Sequence, residues 1–388
     1  MRRENLFDVS LVCAAVVVGR VCWCGEPLAL PLSASFPMIW SLARNRRLAA
    51  AVAAGYFLAA SRGLPQGVAT FYRANLWPGL LLWLMASTGF VVVHAWAWTT
   101  RAGWRRAARY LGALVLMAIP PFGILGWAHP LVASGIVFPG WGWMGLMTMA
   151  TGLAIMTTNL RPLAAVAMTG FWLWSVAHWR TPDFPTGWRG VDLTVGSSLG
   201  RRSDLGRQRD LVTTALAAGQ TADDVVVLPE SAIGFWTPMV ERLWTSALRD
   251  SGLMILAGAT VVNERGYDNV LVAISQAGGR IVYRERMPVP GSMWQPWLEL
   301  GDGSGGARAQ IFANPSFEIA GTRVAPLICY EQLIVWPVLQ SMLQDPAAIV
   351  AVGNGWWTEG TSIVSIQRSS AIAWSLLFEK PLVLSFNM

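Results

Sequence analysis

The chain has 388 residues, of which 54% are hydrophobic and only 13% charged, and its net charge is +7. Soluble proteins carry about a quarter charged residues, so the charge deficit excludes a chain that is water-exposed throughout. The arginines sit mainly in short loops between apolar runs, which argues against a nucleic-acid surface, and four cysteines without paired spacing argue against a disulfide framework or a zinc site.

In chain order, residues 1–179 read as a transmembrane bundle. A spanning helix needs about 20 mostly apolar residues, because the hydrocarbon core is about 30 Å thick. Seven candidate spans follow: Phe7 to Val21, Leu28 to Ala43, Leu48 to Ala60, Asn75 to Thr99, Tyr110 to Ala128, Trp141 to Thr157 and Pro162 to His178. No small-x-small cleavage site follows the first, so it reads as a retained helix and not a signal peptide. Arg2 and Arg3, then Arg44, Arg46 and Arg47, then Arg101, Arg105, Arg106 and Arg109, then Arg161 fall on one side of such a bundle. Only Arg62 and Arg73 fall on the other. With positive residues inside, an odd number of spans carries the C-terminal domain to the outer side of a bacterial inner membrane, the periplasm. Trp77, Trp96, Trp98, Trp104, Trp127 and Trp179 stand near span ends as interfacial anchors do. His94, His129 and His178, the only histidines, are expected to be packing residues, as are Cys13, Cys22 and Cys24.

Residues 180–190 read as a linker, and 191–388 as a layered α/β domain. Strands are predicted at Val191 to Val195, Val225 to Leu228, Met254 to Ala259, Asn269 to Ser275, Arg280 to Arg284, Arg323 to Cys329, Ile349 to Val352 and Leu382 to Ser385. Helices are predicted at Asp204 to Ala218, Pro238 to Asp250, Gln332 to Gln344 and Ser362 to Glu379. Alternation of the two buries both faces of a sheet. Gly301 to Gly306 is a glycine-rich loop without the lysine or the strand–helix context of a phosphate-binding loop.

Without a histidine this domain holds neither a Ser-His-Asp triad nor a histidine zinc site. Cys329 closes the apolar strand Val324 to Ile328, with Tyr330, Glu331 and a predicted helix after it, where a helix dipole favours the thiolate. A buried structural cysteine is the competing reading. Glu230 closes the strand Val225 to Leu228 in the run Pro229-Glu230-Ser231-Ala232, where partial burial would raise a carboxyl into the range of a general base.

Four segments together carry a resemblance: Leu228-Pro229-Glu230-Ser231-Ala232, Ile328-Cys329-Tyr330-Glu331, Asn354-Gly355-Trp356-Trp357, and the late helix before Lys380-Pro381-Leu382. The chain resembles the nitrilase superfamily, and within it the apolipoprotein N-acyltransferases, over nearly its whole length. In length, and in a C-terminus expected to be shortened, it is more similar still to a plasmid-encoded conjugal-transfer branch. The resemblance implies a transmembrane bundle followed by a nitrilase-like sandwich with a Glu-Lys-Cys site. Glu230 would be the base, Cys329 the acyl-accepting nucleophile and Glu331 a supporting residue. It also implies an acyl-lipid or lipoprotein substrate, the bilayer and conjugation-apparatus proteins as partners, and no cofactor, metal or direct nucleic-acid contact. In the stretch Tyr283 to Met293, Glu285 occupies the lysine column and Met293 replaces a later glutamate; Gly355 replaces an aspartate. Lys380, the only lysine, falls elsewhere. Arg284 and Arg286 are the candidate substitutes for the missing cation, although a guanidinium does not shuttle protons. Trp236, Trp294 and Trp356, with Trp297, Trp357 and Asn354, are the expected lining of the substrate mouth. Two readings stand side by side: an acyltransferase or amidase acting through Cys329, and a membrane scaffold that kept the fold without the chemistry.

Overall fold

The computed structural model describes residues 3–124, 127–198, 205–219, 221, 224–299 and 306–388. Arg2, residues 125–126 of the fifth expected span, Asp204 at the head of an expected helix, and residues 301–305 of the glycine-rich run lie outside the described residues. The chain forms two compact units. The first comprises Met1–Pro182, Leu333–Trp336 and Gly360–Glu379; the second comprises Asp183–Gln332, Pro337–Glu359 and Lys380–Met388.

The first unit is helical: α1 (Arg3–Cys22), α2 (Phe36–Ser41), α3 (Arg46–Ala60), α4 (Leu64–Tyr72), α5 (Leu76–Ala97), α6 (Trp104–Ala118), α7 (Ser134–Val137), α8 (Gly142–Ile155), α9 (Arg161–Ala177) and the late helix Ile363–Phe378. Glu4–Cys22 and Leu76–Ala97 are long and apolar enough to cross a membrane, and α3 with α4, bent by 49°, qualifies as a third span. Among the described residues the helices of spanning length are therefore two or three, where seven spans were expected. The proline positions account for part of the difference. Leu28 to Ala43 is a 3-10 segment, Pro27–Ser35, followed by the six-residue α2, because Pro27, Pro31 and Pro37 remove backbone donors. In the fifth expected span, α6 ends at Ala118, just before Pro120-Pro121.

The two long helices carry apolar side chains outward: Leu6, Val9 and Val17 on α1, and Leu81, Leu84 and Met85 on α5. Apolar exposure on helices of this length is compatible with membrane association. Inward, α1 crosses α3 closely because Gly19 has no side chain; a β-carbon there would lie 2.3 Å from the Tyr56 carbonyl oxygen. Phe36, Trp40, Tyr56, Phe57, Phe90 and Tyr110 bury a shared aromatic cluster around His94. His94 Nδ1 bonds the Phe90 carbonyl at 2.8 Å and His129 Nε2 the Leu114 carbonyl at 3.0 Å, so both rings serve packing.

The second unit is a two-sheet sandwich. Its strands are β1 (Trp188–Gly190), β2 (Val225–Val227), β3 (Gly234–Phe235), β4 (Met254–Asn263), β5 (Gly266–Ser275), β6 (Gly278–Arg284), β7 (Phe317–Ile319), β8 (Thr322–Ile328), β9 (Ala348–Asn354) and β10 (Leu382–Asn387). One sheet runs β1-β2-β4-β5-β6 with β3 beside β4; the other runs β10-β9-β8-β7. Short turns join β4, β5 and β6, so these pair antiparallel, whereas β2 and β4, and β8 and β9, pair parallel across helical crossovers. The helices are α10 (Leu205–Ala218), α11 (Pro238–Ala247), the short α12 (Pro296–Glu299) and α13 (Val335–Met342).

The pleat divides the apolar residues between two cores. Val225 and Val227 face the other sheet with Leu256, Leu271, Ile328, Val350 and Val352, while Val226 faces α10 and α11 with Ile255, Val270 and Trp244. The seven predicted strands from Val225 to Leu228 onward each have a counterpart. The first predicted strand, Val191 to Val195, does not: β1 lies inside the expected linker and stops at Gly190, and beyond it Val191 N bonds Val227 O while Leu193 forms an isolated parallel bridge with Asn387 through Phe386 O and Met388 N. The short β3 and β7 were not predicted, having too few residues to show a period.

Candidate active site

Two strand ends deliver the reactive groups. After β2, Pro229-Glu230-Ser231 turns across β4, with Ser231 at φ +58°. The turn lies flat on β4 because residue 258 is glycine; a β-carbon there would fall 2.5 Å from Glu230 Cα. After β8, Cys329 adopts φ +46°, a left-handed conformation that a non-glycine residue enters only when its surroundings hold it there. A 3-10 turn, Cys329–Gln332, follows, and α13 starts only at Val335, with Pro337 in its first turn. The helix N-terminus expected directly behind the thiol is therefore a four-residue 3-10 turn. Gln332 Nε2 ties that turn to β8 and β9 through the carbonyls of Leu327 (3.3 Å) and Val352 (2.8 Å).

Glu230 is 5% exposed. Its Oε1 accepts from Asn269 Nδ2 at 2.8 Å, its Oε2 from the Asn354 backbone N–H at 3.0 Å, and the Cys329 thiol also donates to this carboxylate. Burial pushes the Glu230 pKa up to about 7, with the Glu331 charge adding to the rise and the three hydrogen bonds opposing it. The structure thus brings Cys329 and Glu230 into direct contact.

Glu331 is fully buried beside them in a different setting. Its Oε1 accepts from Tyr283 Oη (2.6 Å) and the backbone N–H groups of Arg286 (2.8 Å) and Met287 (3.2 Å), and its Oε2 from Ile328 N–H (2.8 Å). These bonds clamp the turn that holds Cys329 to the end of β6.

The two arginines do not fill the lysine position. Along β5 and β6, Asn269, Tyr283 and Glu285 alternate onto one face, and Asp268 and Arg284 onto the other, where Arg284 Nη1 pairs with Asp268 at 2.5 Å. Arg286 is fully buried, but Nε donates to Tyr283 Oη (3.0 Å), Nη1 to Pro337 O (3.0 Å) and Gln340 Oε1 (3.1 Å), and Nη2 to Pro326 O (3.0 Å). It holds the ends of β6, β8 and α13 together and balances Glu331 at 3.7 Å. Lys380 Nζ pairs with Asp345 at 2.8 Å. What stands beside Glu230 instead is Glu285, 1% exposed, whose Oε2 accepts from the same Asn269 Nδ2 at 3.0 Å. Burial first, then the charges of Glu230 and Glu331, hold its pKa well above the ordinary carboxyl range.

The expected substrate mouth is only partly assembled. Asn354 contributes its backbone N–H to Glu230, while its side-chain Oδ1 accepts from Asn387 Nδ2 at 2.8 Å. Trp356 and Trp357 follow directly on a 3-10 turn. Trp236 belongs elsewhere: it packs over Gly279 against the helix-side core. Trp294 closes a tight turn, donating from its N–H to Val289 O at 3.1 Å, and Trp297 is half-exposed on α12. Asn269, Gly258 and Glu285 were not among the expected site residues.

Residues 58–375 match the carbon-nitrogen hydrolase family. The chain belongs to that family. It is 59% identical over 387 residues to a protein of Sinorhizobium fredii described as probable conjugal transfer protein TraB, with 100% of both chains covered. It is 57% identical over 397 residues to the conjugal transfer protein TraB of Agrobacterium fabrum, covering 100% of this chain and 94% of that one. Among solved structures, a CN-hydrolase superfamily protein from Xanthomonas campestris is 14% identical over 51% of this chain and 73% of its own, with a TM-score of 0.33. An amidase from Nesterenkonia sp. is 13% identical over 51% and 74%, with a TM-score of 0.35.

Proposed function

We propose that this hydrolase acts in conjugal transfer as a membrane-anchored thiol acyltransferase or amidase, with Cys329 as nucleophile and Glu230 as its base. The observation that carries the reading is the thiol of Cys329, on a left-handed residue at a strand tip, donating to a buried carboxylate whose pKa lies near 7. The 59% identity to a conjugal transfer protein over the full chain supports the biological setting.

In this mechanism Glu230 takes the thiol proton as Cys329 Sγ bonds to the carbonyl carbon of an amide or ester. The carbonyl π pair moves to oxygen, then re-forms the double bond as the amine or alcohol leaves with the proton from Glu230. Water, or an acceptor amine, then attacks the thioester; Glu230 takes its proton, and the C–S pair leaves with sulfur and is reprotonated. Glu331 and Arg286 act as positioning residues, since they hold the turn that carries Cys329. Trp356 and Trp357 would flank an acyl chain, in keeping with an acyl-lipid or lipoprotein substrate. The apolar α1 and α5 support anchoring in the inner membrane, and the hydrolase domain is proposed to face outward.

Plasmid transfer frequency and labelling of Cys329 by an acyl aryl ester test this reading together. Cys329→Ser and Glu230→Gln are expected to abolish both. A scaffold without chemistry is the second reading, favoured by the commitment of both arginines to structural partners; unchanged transfer in both variants would establish it. A reporter fused after Met388 that is active only in the cytosol would overturn the orientation.

A further inference from the structure

Glu285 is a buried acid without a complete set of partners. Its Oε2 accepts from Asn269 Nδ2, but its Oε1 has no hydrogen-bond partner among the described residues. The same amide nitrogen bonds Glu230 at 2.8 Å, so a single NH2 group joins the two carboxyls. A buried polar atom left unpaired is unfavourable, so such an atom beside a reactive pair is where a ligand group is expected.

Resting on the thiol acyl-transfer reading, we propose that Glu285, as a neutral carboxylic acid, donates its Oε1–H to the substrate oxygen on which negative charge develops when Cys329 attacks. No cation takes part. A donor aimed at a developing oxyanion in a dry site is among the largest single contributions to acyl transfer, and an acid kept neutral by its surroundings is able to make it. The groups around Glu285 fit this protonation: Glu230 and Glu331 repel a second charge, and the Arg286 guanidinium is committed to Tyr283, Pro326, Pro337 and Gln340. Ionised Glu285 would have no O–H to give and would place a negative charge against the developing oxyanion. During attack the O–H bond stays intact and only its hydrogen bond shortens, so the thiol proton still goes to Glu230 and every charge balances.

The test uses the full chain in detergent and two reactions of Cys329, each followed on its own peptide by mass spectrometry. Acylation by p-nitrophenyl butyrate passes through an oxyanion; alkylation by iodoacetamide does not. Glu285→Leu is expected to slow acylation by about 10²–10³ while leaving alkylation within about threefold. Glu285→Gln puts an NH2 where the O–H stood, and is expected to recover most of the acylation lost in the leucine variant. It should also remove the alkaline decline that Glu285 ionisation gives the wild type. Normal acylation in Glu285→Leu would overturn this role and leave the thiol–Glu230 pair standing. An equal fall in alkylation would also overturn it, assigning Glu285 to thiol activation or to the fold. No acylation of wild-type Cys329 at all would overturn the acyl-transfer reading itself.

Discussion

Glu230 and Glu331 are both buried carboxyls three residues past a strand end, yet their surroundings divide them. Glu331 receives four donors from protein groups and has a guanidinium at 3.7 Å. Glu230 receives one amide, one backbone N–H and a thiol, and no cation among the described residues pairs with it. The carboxylate supplied with four donors ties the Cys329 turn to the end of β6 and holds structure. One supplied sparingly titrates near neutrality and is free to accept a proton. The number and charge of the donors, and not burial, separates the two roles.

The largest effect that sharpens this contrast is on chemistry. Glu230→Gln should lower Cys329 acylation by about 10²–10⁴ while leaving the unfolding midpoint unchanged or raised, because a burial-strained acid is removed. Glu331→Gln should do the reverse, lowering stability by about 3–5 kcal/mol in denaturant unfolding, since it leaves Arg286 buried without its counter-charge. If the two variants gave the same pattern, the contrast would be broken.

The pH dependence of stability is next in size. Glu230 ionises near 4.5 in the unfolded chain and near 7 in the folded one. Its contribution is fully present below pH 4.5 and is lost as pH rises through 7, because over that window the folded state binds more protons. Glu285, raised in the same direction, extends the loss to higher pH. Thermal midpoints should therefore fall as pH climbs from about 4.5, and Glu230→Gln should flatten the first part of that slope. Gly258→Ala should lower stability by about 1–3 kcal/mol and slow acylation, since the added methyl meets the Glu230 backbone. Smallest of all, Lys380→Ala should alter neither the unfolding midpoint nor Cys329 acylation, its partner Asp345 being on the surface.

Much of this was legible in the sequence. Cys329 and Glu230 stood out because each is a polar residue ending an apolar strand, and the apolar runs gave the strands themselves. Asn269 and Gly258 were not legible, since an amide in mid-strand and a glycine beside a turn acquire meaning only once β4 and β5 lie under the Pro229–Ser231 turn. Trp236 read as a site aromatic, but pairing of β3 with β4 turns it to the helix side. Arg284 carried a usable signal: strand alternation puts it opposite Glu285. Arg286 did not, because the carbonyls that engage it come from β8 and α13. Among the described residues, prolines interrupt hydropathy that composition alone registers as continuous, so fewer helices reach spanning length than the seven spans expected.

The β5–β6 pairing skips one residue between Leu271 and Val272, where Val282 stands unmatched. That skip sets the parity of everything downstream on the hairpin. Were Val282 instead to pair with Leu271, Arg284 would stand on the inward face beside Asn269 and Glu285 would turn outward, exchanging an acid for a base with no change of sequence.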